Sequence, residues 1–347
     1  MRLSTIANEV NDRSGNIRRF DMYCQKIRQM GYNGATFSIS LSDHVFMPLW
    51  IALTIGAAFL QNLRSTLQKH LTAELSATAA AYVRFSFGVP VAIIAVSWLS
   101  YGAGITLPAP KPEFLFYCAL GGTAQVFGTV LLVALFSYRN FAVGNAYSKT
   151  EAVQTALFGI IILGEHVSPG AAVAILISLI GVMMISTARN AVTLSLFFSS
   201  LVERPVFMGI GAGSCFAIAA VSYRAASLSL GHEDFLMSAA FTLLVVLCLQ
   251  TVVMTAWIAW REPEQLRATM RNWKVSLGVG VTGAVASLGW FTAMTIENAA
   301  YVRALGQIEL VFAFAASVFL FKEKPRPIEL LGIALVVAGI LLLVLAR

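Results

Sequence analysis

Residues Ala146–Pro169 read AYSKTEAVQTALFGIIILGEHVSP. The stretch begins polar at YSKTEAVQT, becomes wholly apolar at ALFGIIIL, and ends in a charged turn followed by a Ser-Pro helix start. Long apolar runs flank it on both sides, which puts Lys149 and Glu151 at bilayer depth. Ionisable groups there are costly and mark a functional site by default. A related stretch, Leu305–Pro327, reads LGQIELVFAFAASVFLFKEKPRP. Moving Glu151 onto Glu309, a shift of 158 positions, also pairs Val153 with Val311, Glu165 with Glu323 and Pro169 with Pro327. Ile175 then meets Ile333 and Gly181 meets Gly339, with no gap across two helices. By identity the repeat is weak; by position it is strong.

The composition agrees with a membrane chain. The 347 residues are 58% hydrophobic and 12% charged, with a mean hydropathy of +0.77. Soluble domains carry about 25% charged residues. The net charge of +7 does not call for nucleic acid, because the basic residues sit in short loops where they meet anionic headgroups. Cys24, Cys118, Cys215 and Cys248 have no ligand spacing, so neither a disulfide nor a metal is expected.

From Met47 onward, apolar windows long enough to span a bilayer recur. In the first half they run near 47–66, 76–98, 113–138, 141–163 and 169–188; in the second, near 206–227, 235–260, 273–296, 299–321 and 327–346. The expected fold is therefore all-α and integral to the membrane, with ten transmembrane helices in two five-helix repeats, 47–188 and 206–347, joined by a linker at 189–205. An odd number of spans per repeat inverts the second repeat, a transporter plan with its site at the midplane. Residues 1–46 are polar and lack a signal-peptide core. Met47 is expected to be the true start, leaving 1–46 as a mis-called extension. Small residues suggest close-packing faces at Gly209 and Gly213, at Gly280 and Ala284, and at Gly170, Ala174 and Ser178.

The site residues follow from the repeat. Glu151 and Glu309 each lie ten residues into matching spans, roughly 15 Å deep at 1.5 Å per residue. Tyr147, Glu151 and Gln154 would share a helix face. Lys149 and Asn145 would share another, and the repeat sets Arg303 and Gln307 at the positions of Asn145 and Lys149. Both signs of charge would then surround a central cavity, which suits a zwitterionic or polar metabolite. Burial in an apolar setting favours the neutral form of a carboxylate, so Glu151 and Glu309 are candidates for proton coupling. The competing reading is structural: the two carboxylates pair with Lys149, Arg84 or Arg303 and hold helices together. Arg84 lies well inside its span, for a substrate carboxylate or for an ion pair. Arg64 and Arg224, near span ends, are expected to snorkel to the interface. Gln61, Gln125 and Trp290 complete the candidate lining. Glu165 and Glu323 are expected only to favour helix N-termini.

No Walker loop, dinucleotide fingerprint, HExxH or GxSxG motif is present. The chain carries no ATP-driven motor of its own and no visible catalytic constellation; no cofactor is expected. Ten spans in two repeats, with ILGEHVSPGAAVAILISLIGVMMIS and LFKEKPRPIELLGIALVVAGILLLV at the matching ends, resemble the drug/metabolite transporter superfamily, EamA type. The likeness covers Met47 to Arg347. It implies secondary transport or efflux of small metabolites, often amino acids or drugs, through a central cavity. It also implies termini inside, whereas the loop charges favour termini outside. At YSKTE the chain departs from the family's commonly apolar, proline-containing pattern, which suggests a more polar substrate.

The expected function is efflux or exchange of a small polar, amino-acid-like metabolite by alternating access. The alternatives are multidrug efflux and a non-transporting scaffold or lipid-flipping factor. The expected location is the cell membrane, of bacterial inner-membrane type. The expected partners are the small-molecule substrate and the lipid bilayer, with a homodimer left open and no nucleic acid.

Overall fold

The structure is a computed structural model that describes residues 48–135, 138, 141–189, 203–319, 322 and 325–346. The expected extension at 1–46, and all but the edges of the linker at 189–205, lie outside the described residues. Helices stand at all ten expected positions: α1 Leu49–Leu71, α2 Ala77–Gly102 with a turn at Phe87 and Gly88 and a last π-helical turn Trp98–Gly102, α3 Pro112–Leu135, α4, α5 Pro169–Arg189, α6 Arg204–Ser229, α7 Phe235–Arg261, α8 Trp273–Ile296, α9 and α10 Pro327–Ala346. Among the described residues, eight are long and apolar enough to cross a membrane on those grounds alone. The other two are α1, which is long enough at 23 residues but carries Gln61, Asn62, Arg64 and Gln68, and α4, which is broken.

Both α4 and α9 are interrupted, which corrects the expectation of continuous helices there. The first is α4a Phe141–Ser148 and α4b Glu151–Leu163; the second is α9a Ala299–Leu305 and α9b Ile308–Phe319. Under the shift of 158 the two breaks coincide to within one residue. No proline causes them. At each break the backbone tightens into three-residue hydrogen-bonded turns: Lys149 N–H donates to Ala146 O and Thr150 N–H to Tyr147 O, and Gln307 N–H donates to Ala304 O. In α4 the Thr150 hydroxyl also donates to Tyr147 O at 2.7 Å, a side chain competing with the helix for its own carbonyl. Tyr147 therefore does not share a helix with Glu151 and Gln154.

The helix pairing obeys a pseudo-twofold. The most extensive contacts are α3 with α6, α1 with α8 and α5 with α10. Exchanging the halves turns the first pair into the second and leaves the third unchanged. The small-residue faces lie in these or neighbouring contacts. A Cβ on Gly209 would land on the backbone carbonyl of Gly144 in α4a, and one on Gly339 would meet the Ser178 hydroxyl of α5. Ser168 caps α5 and its hydroxyl donates to Ala346 O at the end of α10. Arg326, the last residue before α10, is one helix length away, about 30 Å for twenty residues. The two matching helix starts thus lie at opposite ends of α10, as inversion requires. Trp98, Trp257, Trp260 and Trp273 are exposed near helix ends, as an aromatic belt requires.

Candidate functional site

The two breaks face a central cavity of about 440 Å³, within the range of small-molecule sites. Because each break ends one half-helix and starts another, Glu151 and Glu309 stand in the first turns of α4b and α9b. There the helix N-terminus favours a carboxylate. Inversion makes these half-helices run from the midplane toward opposite faces, so both aim their N-termini at one space.

The carboxylates are paired, and the pairing crosses between repeats. Glu309 Oε1 takes Lys149 Nζ of the first half at 3.2 Å. Its Oε2 accepts from Gln61 Nε2 at 2.6 Å, and Trp290 Nε1 donates to Gln61 Oε1 at 3.2 Å. Glu151 pairs through Oε1 with Arg303 of the second half. The Arg303 guanidinium also lies 5.5 Å from the centre of the Trp290 ring. Gly306 leaves room for that ring, since a Cβ there would stand 2.5 Å from it. Each repeat thus neutralises the other's acid, and each acid is less than a third exposed.

Nine of the ten residues singled out in the sequence line this cavity: Gln61, Arg84, Gln125, Lys149, Glu151, Trp290, Arg303, Gln307 and Glu309. Gln154 does not. Its amide turns back to the Thr150 hydroxyl at 2.8 Å, and it lies beside Gly213 of α6. Gln125 is tied by its carbonyl oxygen to Tyr223 at 2.9 Å and to Gln250 at 2.7 Å.

Two arginines stand elsewhere than expected. Arg64 lines the cavity rather than snorkelling, because α1 runs on to Leu71 and leaves Arg64 in the helix interior. Its spacing from Gln61, three residues along one helix face, was the available signal. Arg224 is 14% exposed and pairs with Glu165 of the α4–α5 turn. It also donates to the carbonyls of Met294 and Glu297 where α8 ends. Glu165 is therefore part of a contact joining α6, α8 and the end of α4b.

Packing around the cavity is one-sided. On the Arg224 side, α4b packs on α6 and α9a. The symmetry-related approach of α4a to α9b is not among the closely packed helix pairs of the described residues, and α9b buries none of its residues fully. The cavity accordingly extends along α9b to Leu310 and Ala313.

The EamA-like transporter family matches residues 48–187 and again 204–345. The chain belongs to this family. A protein from Sinorhizobium sp described as an uncharacterized transporter in the cobO 3′ region is 28% identical over 99 residues, 28% of this chain and 69% of its own length. One solved crystal structure covers 86% of this chain and 97% of its own, with a TM-score of 0.64 at 16% identity; it shares the fold. This EamA-like chain is a multi-pass membrane transporter.

Proposed function

We propose that this EamA-like protein is a secondary transporter that moves a small polar metabolite, amino-acid-like in bearing a carboxylate, by alternating access around the central cavity. The observation that carries the reading is the coincidence of both helix breaks, both carboxylates and their crossed partners on one cavity that is packed shut on one side only. Broken helices at the midplane of inverted repeats are where transporters hold substrates and coupling ions. The crossed pairs join the two repeats, so a substrate or proton that loosens them would change how the repeats pack. Of the two carboxylates, Glu151 is the better proton carrier, since Glu309 has both oxygens engaged. The lining aromatics, Phe216, Tyr223, Trp290 and Phe291, are outnumbered by charged and amide groups. That favours a polar metabolite over an amphipathic drug. The proposed location is the bacterial inner membrane.

Counterflow in proteoliposomes tests this. Vesicles holding the purified full-length protein are preloaded with unlabelled polar metabolites and given trace labelled ones. Saturable accumulation above protein-free vesicles is expected. Accumulation of hydrophobic dyes alone, or of nothing, would overturn the reading.

A further inference from the structure

The charges on the cavity wall do not balance. Four cations line it, Arg64, Arg84, Lys149 and Arg303, against two carboxylates, Glu151 and Glu309. Both carboxylates are engaged by Lys149 and Arg303. Arg64 and Arg84 have no ion-pair partner among the described residues. The charge of Glu309 reaches Arg64, but both Glu309 oxygens already hold Lys149 and Gln61. Arg64 Nε is buried without a hydrogen-bond partner. The charged side chains that act on Arg84 are Arg64 and Arg303, both cations.

The two unpaired side chains also converge. A Cβ on Gly283 of α8 would stand 3.1 Å from Arg64 Cδ and 3.8 Å from Arg84 Cβ. The two stems therefore pass the same bare patch of helix, one from α1 and one from α2. Unpaired like charges set side by side on a cavity wall are costly, even where water in the cavity screens them in part. An oxyanion bridging them removes that cost, and guanidinium groups suit carboxylate and phosphate through paired N–H donors.

We infer that Arg64 and Arg84 form an anion subsite, so that the transported metabolite carries net negative charge through a carboxylate or phosphate held between them. The inference rests on the transport reading and narrows it. A zwitterion would satisfy the arginines with its carboxylate but find no free acid for its ammonium, because Glu151 and Glu309 are taken. A net anion fills the subsite and leaves the crossed pairs intact.

The test uses purified full-length protein in two assays. Counterflow in proteoliposomes compares labelled succinate, glutamate, inorganic phosphate, alanine and lysine. At least one of the three anions is expected to exchange ten times faster than alanine or lysine, with succinate and phosphate separating carboxylate from phosphate recognition. Arg64→Gln and Arg84→Gln should each reduce that exchange at least tenfold. Arg84→Lys, which keeps the charge, should retain more than Arg84→Gln. Arg271→Gln, at the exposed pair with Glu74, should change nothing. Alanine or lysine exchanging as fast as every anion would overturn the inference and leave transport standing. So would unchanged anion exchange in a folded Arg84→Gln protein. If none of the five solutes exchanges, transport of these classes fails, and thermal stabilisation in detergent decides the subsite separately. A melting shift with succinate or phosphate that Arg84→Gln abolishes supports the subsite; no shift with any of the three anions overturns it. If Arg84→Gln does not fold, Arg64→Gln and Arg84→Lys carry the same comparison.

Discussion

The two broken helices share one backbone solution but are held by different means. α4a is fixed backbone to backbone: Gly209 of α6 lies on Gly144, and Gly213 of α6 leaves room for Ser148 O. The repeat sets Val302 at the position of Gly144, and α9a is instead held by buried side chains, with Val302 fully enclosed. Beyond the breaks, α4b is packed on α6, α9a and α5, whereas among the described residues the closely packed neighbours of α9b are α1 and α10, without α4a. Two halves of like sequence plan thus take unlike environments, as expected of one end state of a two-state transporter. Symmetry sets where the helices bend; packing on each side sets which face is shut.

The largest effect should come from the clamp on α4a. Gly209→Val places its side chain on the Gly144 backbone, which cannot move aside, so the cost should be at least about 3 kcal/mol by overpacking. Val302→Ala, on the α9 side, removes two methyl equivalents and should cost about 1.5 kcal/mol. Melting in detergent compares them, and equal shifts would erase the contrast between glycine and side-chain packing.

Next is the latch on the shut side. Arg224→Gln strands Glu165, which is 14% exposed. Breaking a buried pair costs about 3 kcal/mol, and the double variant with Glu165→Gln should recover part of it, since the two effects are not additive. The shut face should also become more accessible to water-soluble labels near Met294. A fully additive double variant would dissolve the latch.

The smallest effects belong to the crossed pairs, whose partners are wetted by the cavity. Glu151→Gln and Glu309→Gln should each cost about 1 kcal/mol, well below a dry pair, because solvent screens the stranded cation. They separate in transport: Glu151→Gln should flatten the pH dependence, while Glu309→Gln, which releases Gln61 and removes a negative charge beside Arg64, should shift apparent substrate affinity and leave the pH dependence in place. Identical behaviour of both would mean that the repeats have not specialised.

Much of this was legible in the chain. The gapless pairing of Glu151 with Glu309 located the cavity, because equal depth in equal spans is a geometric statement that folding does not undo. The breaks were not legible. Neither carries a proline: the α4 break has a threonine bonding back to a carbonyl, the α9 break falls at Gly306 and Gln307, and both look like ordinary helix sequence. Tyr147 was counted on the face of Glu151 through a break, and Gln154, though on the same half-helix as Glu151, turns its amide back to Thr150 rather than lining the cavity. Arg64 was misread because a span end drawn from hydropathy falls short where α1 continues through a polar turn to Leu71; Arg224 does stand near the end of α6, but partners from the α4–α5 turn and the end of α8 hold it there. The crossed pairing of acids and bases is a tertiary fact with no local signature.

One-sided opening about inverted repeats is the central claim, and site-directed labelling addresses it most directly. On a cysteine-free background, Ser168→Cys, Arg326→Cys and Ala313→Cys are exposed to a membrane-impermeant maleimide from each face in turn. Arg326→Cys and Ala313→Cys should label from one face, and Ser168→Cys only from the other. Labelling of Ala313→Cys from the Ser168 face, or of Ser168→Cys and Arg326→Cys from the same face, would contradict the account.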